Sequence, residues 1–94
     1  MNATTFFEAC KEIASDLNCQ FKAFDYTKQY GWFGGSFEVD SFGGIAAIIK
    51  HNVNGWTLND KPVTISEIFA AIPGLVADEF EARKGVDITE YNYD

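Results

Sequence analysis

Phe6, Cys10, Ile13, Ala14 and Leu17 recur at helical spacing, so residues 5–17 are expected to form a helix with one apolar stripe. Thr5 followed by Glu8 fits a capping box, in which the hydroxyl accepts from the third backbone amide and the Glu carboxylate reaches back to the cap. Asn18 suits the stop. From Cys19 the period changes to two. Phe21, Ala23 and Asp25 alternate with Lys22, Phe24 and Tyr26, and after a break at residues 27–31 a second run covers residues 32–40. Two antiparallel strands are expected, with Gly34-Gly35 marking a bulge or a close backbone approach.

Residues 42–50 fit two patterns. Phe42, Ile45, Ala46, Ile49 and Val53 share a helix face, whereas the short continuous apolar run equally fits a buried strand. A helix capped by Asp40 or Ser41 is the preferred reading. Asn54-Gly55 is a turn signal, and Asn59-Asp60 stands between two short runs as a two-residue hairpin connection. Thr64 with Glu67 repeats the capping-box pattern, and Val63 with Ile68 matches the hydrophobic staple. Ile65, Ile68, Ile72, Val76 and Phe80 stay on one side across Pro73-Gly74, which predicts a kinked helix or two short ones ending at Gly85 after Arg83 and Lys84. The expected fold is α+β: a small antiparallel sheet packed with an N-terminal helix and a kinked or broken C-terminal helix. Residues 1–94 form one compact domain, with residues 86–94 as an acidic tail or edge strand.

Composition narrows the class. The chain has 94 residues, 47% of them hydrophobic, too many for a disordered segment, and its net charge is −7. The apolar run around Ile45 is far below the roughly 20 residues that cross a bilayer, and the first residues lack the basic start and apolar middle of a secretory signal. A cytoplasmic location without membrane attachment is expected. Cys10 and Cys19 do not make a disulfide framework or match zinc spacing, and both are expected to be reduced, Cys10 as a small apolar residue.

The seven basic residues are scattered among acids, which disfavours direct binding of nucleic acid, since phosphate neutralisation needs a basic stripe. Catalysis has little support. His51 is the single histidine, and a Cys-His-Asp arrangement would need Cys10 or Cys19 beside it together with Asp25 or Asp40. His51 is expected to end the element containing Ile48 and Ile49, bonding a terminal carbonyl. Glu38 and Asp40 share a strand face, yet such a pair means acid-base chemistry only within a cleft. No catalytic, cofactor or metal residues are assigned.

Two features remain. Eight aromatics lie between Phe21 and Phe42, and Tyr30 and Trp32 at the turn are candidate interface anchors. Glu8, Glu12 and Asp16 recur four apart, a rise of about 6 Å at each step, and Asp78, Glu79 and Glu81 concentrate acid near the other end. The expected partner-binding set is therefore Glu8, Glu12, Asp16, Tyr30, Trp32, Asp78, Glu79 and Glu81. Such a surface suits a basic protein that handles nucleic acid, its carboxylates standing in for phosphates, in the manner of phage or plasmid inhibitors and immunity proteins. The alternative is an assembly subunit that self-associates through an exposed strand edge at residues 32–39. A monomer or homodimer fits either.

Overall fold

The computed structural model describes residues 1–40 and 42–91, with side chains through Lys84. In chain order it contains α1 (Ala3–Asp16), β1 (Gln20–Tyr26), α2 (Thr27–Tyr30), β2 (Trp32–Glu38), β3 (Ile45–Asn52), β4 (Gly55–Leu58), β5 (Lys61–Val63) and α3 (Ile65–Tyr91). The strands form one antiparallel meander in the order β1-β2-β3-β4-β5, and the fold is α+β.

α1 starts earlier than expected because Asn2, a strong cap residue, takes the position assigned to Thr5. Its side-chain oxygen accepts from the Thr5 N–H at 2.9 Å, so Thr5 lies inside the first turn and its pattern with Glu8 is not a capping box. The helix stops as expected at Asn18, which adopts φ 57°. Asn18 N–H donates to the Ser15 carbonyl and Cys19 N–H to the Ala14 carbonyl, the paired bonds that close a helix end.

Phe21, Phe37, Ala47, Ile49, Leu58, Trp56 and Val63 fall on one face of the sheet by strand register. That face receives Phe6, Cys10 and Ala14 of α1 and Ile68, Ile72 and Val76 of α3, all in one buried cluster. Phe6 is the hub, with ring centroids of Phe21, Phe33 and Trp56 at 5.9, 5.8 and 5.0 Å. Full burial of a large apolar side chain, as at Phe6, Phe37, Ile49, Ile68 and Ile72, stabilises the fold by roughly 1.5–3 kcal/mol each.

The Gly34-Gly35 pair serves close approach. A methyl group on Gly35 would overlap the Phe21 ring and one on Gly34 would collide with the Ile49 carbonyl, so both positions exclude larger residues. The bulge lies further along, where the register with β3 shifts at Phe37 and Glu38.

Residues 45–52 are a strand, correcting the helix preferred for residues 42–50. The run Ile45-Ala46-Ala47-Ile48-Ile49 hides its alternation because apolar residues occupy both faces, and the period of two shows only in the burial, with Ile48, Lys50 and Asn52 exposed and Ile49 and His51 turned inward between them. Asp40 is accordingly not a helix cap, and Ser41, the other cap candidate, lies outside the described residues. The Asp40 carboxylate accepts instead from the Phe42 and Gly44 amides, shaping the β2–β3 loop. His51 likewise does not end an element. It sits within β3, its ring centroid 4.4 Å from Trp56 and 5.0 Å from Phe33.

Asn59 and Asp60 form the expected two-residue hairpin, with φ of 50° and 70° and Leu58 paired to Lys61. The Asn59 side chain also accepts from the Ile48 amide at 2.8 Å. Thr64 and Glu67 exchange the two capping-box bonds, at 2.9 and 3.1 Å. The Thr64 bonds hold the Glu67 carboxyl below its usual range.

α3 is a single element with Pro73 inside it. It also continues past Gly85 to Tyr91, where a stop and then a tail or strand were expected. Gly85 is accommodated inside the helix, at a cost of about 1 kcal/mol relative to alanine. The rest of the expected tail, residues 92–94, lies outside the described residues.

Candidate functional site

Both helices run in the same direction across the sheet. α1 enters where Asn2, Ala3 and Thr4 face Asp25 and Phe33, and leaves into Gln20, which pairs with Glu38. α3 starts after Val63, at the Trp56 end, and reaches Asp40 with Arg83. The helices therefore share one face, α1 over β1 and β2 and α3 over β3.

On α1, Glu8, Glu12 and Asp16 point away from the Phe6–Cys10–Ala14 stripe and are exposed. On α3, Asp78 and Glu81 are exposed and Glu79 is half-buried. Glu81 pairs with Lys84 at 3.6 Å, but both side chains are over two-thirds exposed, so the bridge contributes little. Among the described residues, none of Glu8, Glu12, Asp16, Asp78 or Glu79 has an ion-pair partner within 4.0 Å. The helix layer thus presents carboxylates to solvent with little local neutralisation.

Tyr30 and Trp32 stand on the other side. Strand alternation turns Lys22, Phe24 and Tyr26 of β1, Trp32, Gly34, Ser36 and Glu38 of β2, and Ile48 and Lys50 of β3 to the face that no helix covers. Phe24, Tyr26, Tyr30 and Trp32 line an open depression of ≈ 640 Å³ there. Tyr26 lies 5.9 Å from Tyr30 and 5.0 Å from Trp32 between ring centroids. The Lys50 ammonium lies 5.5 Å from the Trp32 ring. Tyr30 and Tyr26 are 71% and 40% exposed.

The eight expected contact residues therefore divide. The acids Glu8, Glu12, Asp16, Asp78, Glu79 and Glu81 belong to the helix layer, while Tyr30 and Trp32 lie across the sheet from them. Phe24, Tyr26 and Lys50 join the aromatic pair. The two-residue alternation in β1 marks Phe24 and Tyr26 as partners of one face, and the helical reading of residues 42–50 concealed Lys50.

Glu38 and Asp40 are engaged separately. Glu38, 8% exposed, accepts from the Ser36 hydroxyl at 3.1 Å and pairs with Lys22 at 3.4 Å. Asp40, beyond the end of β2, accepts from Arg83 Nε at 2.6 Å, and that bond holds its carboxyl below the usual range. Neither residue borders the aromatic depression or the larger one of ≈ 890 Å³ between the start of α1 and α2. In that larger depression the Asp25 carboxylate accepts from the Thr27 hydroxyl and amide, which lowers its pKa. Cys10 is fully buried, and burial pushes its thiol up to about 12.

β2 is a central strand paired on both sides, so residues 32–39 offer no free edge. The sheet edges are β1 and the three-residue β5, which carries Pro62. No helix among the described residues is long and apolar enough to cross a membrane. No family model, curated protein or solved structure matches the chain.

Proposed function

We propose that this chain is a small cytoplasmic binding protein that inhibits a basic, nucleic-acid-handling protein by occupying its cationic surface. The observation that carries the reading is the solvent face of α1, where Glu8, Glu12 and Asp16 rise on successive turns, exposed and without ion-pair partners among the described residues. Like charges four apart destabilise a helix by a few tenths of a kcal/mol per pair. Their presence on a face that has no packing duty favours a use outside the fold. Asp78 and Glu81 on α3 extend the same layer, and carboxylates spaced along parallel helices compete with phosphates for Lys and Arg. In size and charge the chain is of the type of phage- or plasmid-encoded inhibitors and immunity proteins, and that role is part of the proposal.

Pull-down with the tagged protein from a matched lysate tests the reading, with the triple variant E8Q/E12Q/D16N as comparator. The expected result is a basic protein retained at low salt, released at high salt and lost from the variant. Retention indifferent to both salt and the substitutions contradicts it.

Self-association is the second reading, and the unpaired outer edge of β1, seven residues long, is the observation in its favour. Sedimentation across a concentration range separates the two readings.

A further inference from the structure

The whole-chain charge of −7 conceals an uneven distribution. The acids of α1 and α3 lie on the outer side of the helix layer. A helix with its side chains is about 10–12 Å across, which exceeds the Debye length of roughly 8 Å at physiological salt. Screening therefore separates those acids from the open face of the sheet. That face has its own balance. Its carboxylate, Glu38, is held by Lys22 and Ser36. Lys50 has no carboxylate within ion-pair distance among the described residues and stands over Trp32. Lys28, exposed on α2, lines the neighbouring depression together with Tyr26 and with Asp25, the acid near it.

Against the expectation drawn from the scattered basic residues, we propose that the open sheet face is a stacking platform for single-stranded nucleic acid, held mainly by its rings, with Tyr30, Tyr26 and Trp32 receiving bases and Lys50 meeting a phosphate. The backbone of β1, β2 and β3 is paired in the ladder there, so recognition relies on ring faces and a few charges. Unpaired bases on a phosphate backbone supply that chemistry, and sheet-borne aromatics characteristically stack two or three of them. Gly34 leaves the floor between Phe24 and Lys50 free of a side chain, because both residues pair with it across the strands. The platform is independent of the acidic helix layer, and its failure would leave the inhibitor reading standing.

The test is fluorescence anisotropy of a labelled oligothymidine of about 15 nucleotides, within the range of natural single-strand site sizes, titrated with the intact protein at several salt concentrations. Thymidine monophosphate and polyglutamate serve as competitors. Saturable binding is expected, competed by unlabelled oligonucleotide and by neither of the other two. Tyr30→Ala, at a largely exposed position outside the core, is expected to weaken it by between about fivefold and a hundredfold. Lys50→Gln is expected to reduce the slope of log K against log salt by roughly 0.7, one phosphate contact. Absence of binding at low salt overturns the proposal, as does binding unchanged in both variants. Equal competition by polyglutamate would assign the face to an acidic polypeptide, and equal competition by the mononucleotide to a free nucleotide, and either result also overturns it.

Discussion

Arg83 Nε donates to Asp40 Oδ2 at 2.6 Å across 43 positions of sequence, tying the β2–β3 loop to α3. The same carboxylate organises that loop through the Phe42 and Gly44 amides, so one side chain both shapes the loop and anchors it to α3. Its folded pKa is lowered, chiefly by the Arg83 bond. Stability from this group is therefore fully present above the unfolded value and is lost as pH falls through the folded one. Asp40→Asn is expected to lower Tm at neutral pH, with the gap from the parent closing in strong acid. A gap that stays constant with pH would contradict this.

Cys10 and Cys19 should separate under a thiol reagent. Burial raises both thiols, Cys10 to about 12, and the thiolate is the reacting species. One equivalent, at the partly exposed Cys19, is expected to react in the native protein and a second only on unfolding. Two fast equivalents under native conditions would show that the core around Phe6 opens.

Gly35 and Gly74 are expected to respond to alanine with opposite signs. At position 35 the methyl group meets the Phe21 ring, and overpacking of this kind costs about 1–3 kcal/mol. At Gly74, within α3, nothing lies within 4 Å of the added carbon, and alanine is favoured by about 1 kcal/mol in a helix interior. Denaturant midpoints of the two variants measure the contrast. Equal effects would contradict the close approach at β2.

Thr64→Ala removes the hydroxyl that accepts from the Glu67 amide at the start of α3. A loss of about 1 kcal/mol is expected from chemical denaturation. Thr5→Ala, inside the first turn of α1, is expected to cost much less, because Asn2 supplies that cap.

These two threonines show how far local pattern reaches. The same four-residue signature stands at the start of both helices, yet only Thr64 follows a strand that fixes the entry of the chain, with Val63 packed against the core cluster that contains Ile68. Near the amino end a better cap stood three residues earlier. The Asn59-Asp60 hairpin was legible because its chemistry is local. β3 was not, because Ala46 and Ile48 are apolar on the face opposite Ala47 and Ile49, which erases the alternation that distinguishes strand from helix. The acidic helix face was readable from spacing alone. Its separation from Tyr30 and Trp32 was not, since it depends on which side of the sheet the helices cover. Strand register decides that.

The proposed inhibition is tested most directly by competition. The basic protein retained in the pull-down is loaded with its nucleic acid, and the intact acidic protein is titrated into that complex. Stoichiometric release of the nucleic acid is expected, weakened in E8Q/E12Q/D16N and unaffected by Tyr30→Ala. A ternary complex in which the partner holds both ligands would contradict occlusion by the helix face.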